Sequence, residues 1–599
     1  MPINTFSNRL HTLRSQEVKQ QETSNRISNI RMLVFLIGAG ITSFCFVKID
    51  SIYGYFVLLL SLIPFIYFVL KHQQVKRELN KIRCKIEINE KYLSRMDGSW
   101  INFKENGQEF IDPGHSYTGD LDIFGEKSLF QWINVAHTFY GRKTVKKFLA
   151  TSEKDIELIK RRQQAVKELA EKGNFVEELQ CLGMLAADIE KDPSSLIAYA
   201  ENPSQRFQRK WLQSIFYILP VATVLSLILF LFEISIPTFI PLSLIFVQMI
   251  LTAIGFKENS LALNTVHKFK ENLDAFNQFI SLIEKEKFQD KYLTRLQSDL
   301  LQEAKAASLR VKHLERIVTA SELRYNLISF SIMNFLMLWD FHCVFALEAW
   351  KKQNGKLIRS WLHTIGHFEA LTSLGVILQL HPQWSFPAFA EKGLLFSAVD
   401  IGHPLLVETK SVRNNIDMKN TICVITGSNM SGKTTLLRTI GINLVLAYCG
   451  APVSASKLEC SIMNIFTSMR INDDLNSGIS TFYAELLRIK TIIDFSHKQQ
   501  DMIFLIDEIF RGTNSRDRVL GAASVLKNLN KDWIIGLIST HDFELCNLEK
   551  DTNGKIVNYH FTENYVNNEI QFDYKLRTGQ CTTTNAKYLM KMVGIELYE

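Results

Sequence analysis

Four long uncharged apolar runs stand out along the chain, and they come as two pairs. The first pair covers residues 32–47 and 51–70, and the second pair covers residues 211–232 and 234–256. A hydrocarbon core of about 30 Å needs about 20 apolar residues in a helix that rises about 1.5 Å per residue. The last three runs are therefore long enough, and the first is marginal. Because the connection within each pair is very short, the pattern predicts two transmembrane helical hairpins, called hairpin 1 and hairpin 2 below.

Basic residues flank both hairpins on one side of the predicted membrane. Lys and Arg residues precede and follow each pair, whereas the short turns hold almost none, with Lys48 as the exception. Such flanks stay on the cytoplasmic side. The pattern predicts a multi-pass protein of the cell membrane whose N-terminus, core and C-terminal domain lie in the cytoplasm. A cleavable signal peptide is disfavoured, because about thirty mostly polar residues precede the first run. The alternative is that both pairs form buried hairpins of a soluble core.

The texture of the chain changes twice after the second hairpin. Residues 256–354 contain neither Gly nor Pro, and apolar residues are interleaved with charges, which predicts long amphipathic helices packed as antiparallel levers. Within this stretch the apolar segment 325–339 is too short to cross a membrane and is followed by Asp340 and His342, so we expect a helix of the soluble core. After Pro387, short β-rich runs alternate with helical segments, which is typical of an α/β domain with a largely parallel sheet.

Composition narrows the class of protein without defining it. A chain of 599 residues is too long for one core, and 47% hydrophobic with 22% charged residues excludes a disordered or fibrous chain. The formal net charge of +7 is too small to argue for nucleic acid. The nine cysteines form no CxxC pair, so we expect free thiols and neither a disulfide framework nor a zinc site.

A glycine-rich loop carries the clearest chemical signal. The segment that begins at Gly427 and ends in Gly432-Lys433-Thr434 matches G-x4-G-K-[ST], between an apolar run at 421–426 and a predicted helix. Glycines let backbone N–H groups turn inward as an anion nest, and the helix N-terminus adds partial positive charge. Lys433 would reach the β- and γ-phosphates of ATP, and the Thr434 hydroxyl would ligate Mg²⁺. The predicted nucleotide-binding residues of the loop are Gly427, Ser428, Asn429, Met430, Ser431, Gly432, Lys433, Thr434 and Thr435.

Acidic and histidine side chains follow two further apolar runs. Asp507 and Glu508 end the run at 502–506, and His541 follows the run at 533–538. Beside a phosphate-binding loop, this pattern predicts that Asp507 holds Mg²⁺ through water and that Glu508 activates the attacking water. His541 could contact the γ-phosphate. The alternatives are a solvated turn for the acidic pair and a structural role for the histidine.

A Ser-Thr-Phe segment lies between these motifs. Glu485 follows Thr481 by four residues, and Ala484 stands where a capping box opened by Thr481 would need Glu or Gln. Two interpretations stay open: a plain helix N-cap, or a helix capped by Ser480 that points at a phosphate bound to another molecule.

The four motifs, in this order, resemble the ATPase domain of the MutS family of DNA mismatch-repair proteins. They read TGSNMSGKTTLLR, DDLNSGISTFYAEL, FLIDEIFRGTNSRDR and STHDFEL. Residues 120–149 and 161–169 resemble the core domain of the family. Residues 361–375 and 402–406 resemble the approach to its ATPase, and residues 574–595 resemble its closing segment.

The resemblance implies a homodimeric ATPase that hydrolyses ATP to ADP and phosphate and binds DNA. Asp507 and Glu508 would be the metal-linked and catalytic carboxylates and His541 the switch histidine, while Ser480 and Thr481 would complete the site of the partner subunit. There are departures. Ser428 stands where Pro is usual and Thr434 where Ser is usual, which preserves the chemistry. The first 115 residues hold a hairpin where mismatch-finding members carry a Phe-x-Glu wedge, so mismatch recognition itself is not implied.

The expected fold class is therefore a multidomain protein with two transmembrane hairpins, a helical core and lever region, and a C-terminal P-loop NTPase domain of the ABC type. The expected segments are a cytoplasmic tail (1–31), hairpin 1 (32–70), a helical linker (71–115), the first part of the core (116–205), hairpin 2 (211–256), core and lever helices (257–385) and the ATPase domain (386–599).

Two other functions remain open on the sequence. An ABC-type transporter is disfavoured, because STFYAEL stands in place of an LSGGQ-like signature and the hairpins hold almost no polar residues. A nucleotide-switched membrane scaffold that binds a protein and no DNA is not excluded.

Overall fold

The computed structural model describes residues 2–186, 189–204, 210–232, 237–301, 306–470, 481–510, 514–552, 554–566 and 569–581. Across these residues the protein is mostly helical, and its strands lie in the C-terminal third of the chain.

Two helices of 47 residues each open the chain as one antiparallel hairpin. Helix α1 spans Pro2–Lys48 and helix α2 spans Ser51–Asp97, so each is about 70 Å long. Asp50 caps α2 by accepting a 3.1 Å hydrogen bond from the backbone N–H of Ile52. The predicted N-terminal tail thus continues without a break into the first apolar run. Around the turn the apolar side chains are exposed, as in Val47 and Ile52.

The other ends of α1 and α2 pack on the helical core. Glu177 of helix α6 (Gly173–Leu185) accepts hydrogen bonds from Arg9 of α1, at 2.6 Å, and from the Asn89 amide of α2, at 2.8 Å. A buried carboxylate stays charged at low cost only when it is paired in this way. This contact holds the end of the hairpin that lies away from its turn against the helical core. The core helices that follow are α3 (Leu129–Ile133), α4 (Phe139–Ala150), α5 (Ile156–Glu171), α6 (Gly173–Leu185) and α7 (Ser194–Glu201).

A second helical pair interrupts the core. Helix α8 spans Lys210–Leu231 and helix α9 spans Phe239–His267. Among the described residues, α1, α2, α8 and α9 are long and apolar enough to cross a membrane, which agrees in number and position with the four predicted runs. Insertion into a membrane and its direction stay predictions.

Short helices follow α9, so the prediction of long lever helices is wrong. They are α10 (Lys270–Lys285), α11 (Lys291–Ser298), α12 (Ala307–Ala320), α13 (Leu327–Met337) and α14 (Trp339–Asn354). None of these described helices exceeds 16 residues. Asp290 and Asn326 start new helices by accepting backbone hydrogen bonds as N-caps. Leu338 ends α13 in a left-handed conformation with φ of 50°. Helices in this stretch therefore end and restart at capping residues, without Gly or Pro.

Helix α13 is also not the core helix that we expected. Leu327 is 79% exposed and Ile328 is 71% exposed, although both are apolar. By contrast, helix α15 (Ile358–Leu380) is largely buried at the centre of the core. Gly366 of α15 sits so close to α4 that an added Cβ would lie 2.7 Å from the Tyr140 carbonyl carbon.

The C-terminal region is an α/β domain, as expected. Its central sheet has the order β12-β9-β4-β8-β7-β6, in which β12 is antiparallel to β9 and the other neighbours are parallel. The strands of this sheet are β4 (Ile422–Thr426), β6 (Asn464–Ser468), β7 (Met502–Asp507), β8 (Ile534–Thr540), β9 (Ile556–His560) and β12 (Arg577–Thr578). Strands β4, β7 and β8 match the predicted apolar runs and are buried throughout, as parallel strands covered on both faces are.

Within the described residues, two smaller sheets and four helices complete the domain. A four-stranded sheet has the order β1-β5-β2-β3, and β10 pairs antiparallel with β11. These strands are β1 (Ala388–Phe389), β2 (Leu395–Ile401), β3 (Asn414–Lys419), β5 (Lys457–Cys460), β10 (Glu563–Val566) and β11 (Glu569–Phe572). The helices are α16 (Lys433–Cys449), α17 (Thr481–Ser496), α18 (Ser515–Leu529) and α19 (Leu548–Asp551).

Candidate functional site

The sheet register brings the predicted site residues to one edge. Thr426 at the end of β4 lies beside Thr540 of β8, and Asp507 at the end of β7 lies beside Ser539 of β8. The segments that leave these three strands therefore start side by side. Clefts at the carboxyl ends of parallel strands are where such sheets bind ligands.

The loop after β4 needs its glycines. Gly427 has φ of 152° and Gly432 has φ of 106°, both in the region that L-residues avoid. A Cβ on Gly427 would also lie 2.9 Å from Ser431 Oγ and 3.1 Å from the carbonyl oxygen of Phe561. Helix α16 begins at Lys433, immediately after the loop. The predicted strand–loop–helix unit is thus present.

Lys433 is held across the mouth of this loop. Its ammonium donates hydrogen bonds of 2.8 and 2.9 Å to the carbonyl oxygens of Gly427 and Ser428, and lies 3.3 Å from His541 Nε2. The side chain is only 4% exposed. A lysine ammonium is a compact point charge on a flexible stem, which an anion can engage.

Asp507 is positioned by two hydroxyl groups. Thr434 Oγ1 donates a 2.8 Å hydrogen bond to Asp507 Oδ2, and Ser539 Oγ donates to Asp507 Oδ1. The first residues of α16 and the end of β7 are thereby joined through one carboxylate. Ser539 was not among the predicted site residues, although its position at the end of a buried strand was a usable signal.

Glu508 and His541 form a second pair at the same edge. His541 Nε2 lies 2.9 Å from Glu508 Oε1. Glu508 has φ of 51°, and its backbone N–H donates a 3.0 Å hydrogen bond to the carbonyl oxygen of Ser539. A non-glycine residue in this conformation is held by its surroundings and marks a functional position more often than a random one.

Two polar contacts of the loop were missed by sequence reasoning. Ser428 Oγ donates a 2.9 Å hydrogen bond to Glu563 Oε2, from a strand 135 residues further along the chain. No local pattern signals this contact. Ser431 Oγ is buried and has no hydrogen-bond partner within the described part of the chain. An unpartnered buried hydroxyl is costly unless a ligand satisfies it, so the loop suits an oxygen-rich anion.

A cavity of about 480 Å³ opens beside the loop. The loop forms one wall, and the segment 401–414 and Tyr574 form the other. Tyr574 lies over Gly432, where an added Cβ would come within 3.2 Å of its ring. Burial lowers the pKa of His403 in this wall to about 4, so its imidazole is neutral. The predicted residues that line the cavity are Asn429, Met430, Ser431, Gly432, Lys433, Thr434, Thr435 and Glu508.

Carboxylates of the core tie the site to the rest of the molecule. Asp122 accepts a 2.9 Å bond from Arg438 of α16 and a bidentate contact from Arg470. Asp120 accepts a 2.7 Å bond from Thr467 at the end of β6 and lies 3.2 Å from Arg488 of α17. The helix that starts at the loop is thus anchored on the core domain. The sequence analysis assigned no role to Asp120 and Asp122, which belong to the segment 120–149 that resembles the core domain of the family.

The predicted Ser-Thr segment stays untested. Ser480 lies outside the described residues, and the description of Thr481 is limited to its place at the start of α17. Glu485 of α17 accepts a hydrogen bond from the backbone N–H of Phe510, which joins this helix to the segment after Glu508.

Protein ligands for a metal are few at this site. Across the described ranges no group of three or more His, Cys, Asp and Glu side chains is placed to hold a metal ion. The predicted metal ligands are the Thr434 hydroxyl and the Asp507 carboxylate, which are hydrogen-bonded to each other. Such a pair fits Mg²⁺, which takes most of its ligands from water and phosphate.

Comparison with known proteins identifies the class of this domain. Residues 423–596 match the family model described as MutS domain V. The chain is 30% identical over 203 residues to the DNA mismatch repair protein MutS of Roseiflexus sp. (strain RS-1), covering 32% of this chain and 18% of that protein. It is 31% identical over 199 residues to the DNA mismatch repair protein MutS of Natronomonas pharaonis, covering 32% of this chain and 23% of that protein.

The C-terminal α/β region is similar to MutS domain V over residues 423–596. The resemblance of the four ATPase motifs and of the segment 574–595 is thereby confirmed, because they lie within residues 423–596. The matched region spans about a fifth of the length of these relatives, and the two helical pairs lie outside it.

Proposed function

We propose that the protein is a membrane-anchored ATPase of the MutS type, which binds ATP with Mg²⁺ and hydrolyses it to ADP and phosphate. One observation carries the proposal. Five side chains from three segments of the chain converge at one sheet edge, beside a cavity of about 480 Å³: Lys433, Thr434, Asp507, Glu508 and His541.

Binding of the phosphates rests on the loop after β4. Backbone N–H groups at the start of α16 and the Lys433 ammonium provide positive charge, and the Ser431 hydroxyl provides an unused donor. The wall from 401 to 414, with Tyr574, leaves room for the nucleoside. The Ser428 hydroxyl is hydrogen-bonded to Glu563, so this pair would hold the shape of the loop. The phosphates would then bind to the neighbouring loop residues.

Thr434 and Asp507 would hold Mg²⁺, Thr434 directly and Asp507 through water. When bound, Mg²⁺ supplies neutralisation of charge on the phosphate oxygens. The Ser539 hydroxyl keeps the Asp507 carboxylate oriented for this role.

Glu508 is the proposed general base. Its carboxylate would accept a proton from the water that attacks the γ-phosphorus, while the bond to the β-phosphate oxygen breaks. His541 holds Glu508 in place and lies within reach of Lys433. A γ-phosphate bound to Lys433 would compete with Glu508 for the His541 imidazole. The contacts of His541 would therefore depend on whether ATP is bound.

A homodimer with two composite sites is part of the proposal. Ser480 and Thr481 would complete the site of the partner subunit, by resemblance to the family. The two apolar hairpins would anchor the dimer in the membrane, with the ATPase domains in the cytoplasm.

DNA is the proposed macromolecular partner, because the MutS relatives are named as DNA mismatch repair proteins. The test is binding of homoduplex, mismatched and branched DNA to the purified protein across a salt series, together with the ATPase rate. We expect affinity to fall as salt rises. If no DNA binds at any salt concentration while ATP is hydrolysed, the DNA part of the proposal is wrong and the nucleotide part stands.

A further inference from the structure

Helix α13 carries an apolar surface that the MutS-like function does not use. The chain has no charged residue from Tyr325 to Trp339. Leu327 is 79% exposed, Ile328 is 71% exposed and Ile332 is 53% exposed. Ile328 and Ile332, four residues apart, lie on one face of the helix, and Leu327 is exposed at its N-terminal end. A compact apolar face on a helix needs a partner.

This surface is continuous with the second helical pair. The Tyr325 hydroxyl donates a 2.9 Å hydrogen bond to Asn264 of α9. The rings of Phe330 and Phe256 are 6.0 Å apart. The Thr252 hydroxyl donates a hydrogen bond to the backbone carbonyl of Asn334. Residue numbers rise along α13 as they fall along α9, so the two helices run antiparallel in close register.

The register sets how deep α13 reaches. Lys257 is the first charged residue after the apolar run of α9. Asn334 lies beside Thr252, five residues before Lys257, and Met337 extends almost one turn further. At about 1.5 Å per residue, the end of α13 lies about 12 Å beyond the level of Lys257, toward the turn between α8 and α9. An 11-residue helix of about 17 Å is too short to cross a bilayer.

The chain then turns back. Leu338 adopts a left-handed conformation, and the axis bends by 79° into the following helices. Phe341 returns against Phe216 near the start of α8, with ring centroids 4.3 Å apart. Gly255 makes room for this return, since an added Cβ would lie 2.1 Å from the Phe341 ring.

Polar groups at the turn face inward. The Asn334 side chain accepts a 2.9 Å hydrogen bond from the backbone N–H of Asp340. Asp340 is 2% exposed, and its carboxylate lies 3.6 Å from Arg324, the nearest charge at the other end of the segment. The two charges that bracket α13 thus point at each other. The Asn334 amide and the Asp340 charge are thus paired within the protein, which favours entry of the segment into a hydrocarbon phase.

We propose that α13 inserts into the cytoplasmic leaflet beside hairpin 2 and contacts phospholipid acyl chains through Ile332 and Met337, with Leu327 and Ile328 at the level of the headgroups, without crossing the membrane. The inference rests on the proposed membrane anchoring. Lipid is the occupant because the face extends the apolar surface of α9, whose Ile254 is 71% exposed. Since α12 leads into α13 and α14 leads into α15, the helical core is then fixed to the bilayer at a second place besides the hairpins.

The test places a nitroxide label on single cysteines in the full chain, reconstituted in phosphatidylcholine–phosphatidylglycerol vesicles. Eight of the nine native cysteines are buried, so Cys581→Ser leaves a background with little labelling. The test positions are Ile332→Cys and Ile328→Cys. Leu225→Cys on α8, 54% exposed, is the lipid reference, and Leu520→Cys on α18, 67% exposed, is the aqueous reference. The measurement is the ratio of collision rates with oxygen and with a water-soluble nickel chelate.

We expect the ratio at position 332 to lie several-fold above that at position 520 and below that at the deeper position 225, and the ratio at position 328 to lie between those at positions 332 and 520. If position 332 matches position 520 while position 225 is lipid-exposed, the inference is overturned and the membrane anchoring stands. If both 332 and 225 are aqueous, both are overturned. If 332 is inaccessible to both reagents, a protein covers the face and the lipid assignment is wrong. Unchanged circular dichroism of each labelled protein excludes misfolding as the cause.

Discussion

His541 Nε2 lies 2.9 Å from Glu508 Oε1 and 3.3 Å from Lys433 Nζ, so one imidazole connects the carboxylate after β7 with the lysine after β4. Its two neighbours are the residues that would meet the attacking water and the transferred phosphate. The Glu508 carboxylate, the Lys433 ammonium and the His541 imidazole thus lie together at the edge of the sheet.

Replacing Lys433 with alanine should weaken ATP binding. The ammonium is the buried cation of the loop, and a hydrogen bond to a charged group contributes about 1.5–3 kcal/mol, or about 10- to 100-fold in affinity. Titration of the full chain with a fluorescent ATP analogue measures the effect. Lys419→Ala, at a 72% exposed side chain of the same domain, is the matched control and should bind as the wild type does. Equal affinity of the Lys433 variant would show that this loop is not the phosphate site.

The contact between the core and α16 should be measurable as a coupling energy. Asp122 joins Arg438 and Arg470, and these side chains are partly exposed, so each ion pair contributes up to about 1 kcal/mol. A double-mutant cycle of Asp122→Asn and Arg438→Gln in urea unfolding should give a coupling of about 0.5–1 kcal/mol. Asp417→Asn, on the exposed side of β3, replaces Asp122→Asn in the control cycle. Strict additivity of the Asp122 cycle would mean that the contact does not hold the domains together.

Glu369 should make stability depend on pH. Burial raises the pKa of its carboxyl to about 7, against the hydrogen bonds that it accepts from Thr138 and His137. In the unfolded chain the pKa is close to 4.5. Between these values the folded state holds a proton that the unfolded chain releases. The free energy of unfolding therefore falls as pH rises from about 4.5 to about 7, by up to about 3 kcal/mol.

Glu369→Gln removes this proton linkage. The melting temperature in detergent, measured from pH 5 to pH 8, should fall less with rising pH in the variant than in the wild type. Glu157→Gln, at an exposed carboxylate in the first turn of α5, should keep the wild-type profile. Identical pH profiles for wild type and Glu369→Gln would contradict the assignment of a raised pKa.

Each helical pair should anchor the protein by itself. Deleting residues 1–70 removes hairpin 1, and α8 with α9 remains long and apolar enough to span. We expect the truncated protein to stay in the membrane pellet after alkaline carbonate extraction. Deleting only residues before position 32 retains both helical pairs and serves as the control. Release of the 1–70 deletion into the soluble fraction would exclude α8 and α9 as a membrane anchor.

The parts of the site that sequence could predict are local or set by sheet topology. The loop from Gly427 to Thr434 has a fixed pattern between a strand and a helix. Asp507 and His541 end apolar strands, and parallel strands bring their carboxyl ends to one edge. Their meeting follows from that rule. The roles assigned to them, and the place of Ser480 and Thr481, stay predictions.

The remaining features depend on contacts between distant segments. Glu563 reaches Ser428, and Asp122 reaches Arg438, across separations of 135 and 316 residues. No spacing rule indicates such pairs. The lever helices were predicted too long because Asp and Asn caps can end helices where Gly and Pro are absent. The exposure of α13 depends on which surfaces its neighbours cover, which periodicity does not record.

Release of phosphate by the full-length protein in nanodiscs tests the central claim most directly, with Glu508→Gln measured beside the wild type and Glu544→Gln as an exposed acidic control. We predict saturable hydrolysis of ATP that requires Mg²⁺, unchanged in Glu544→Gln and slower by about 10²-fold or more in Glu508→Gln, which still binds ATP. Hydrolysis by Glu508→Gln at the wild-type rate, or none by the wild type, would contradict the account.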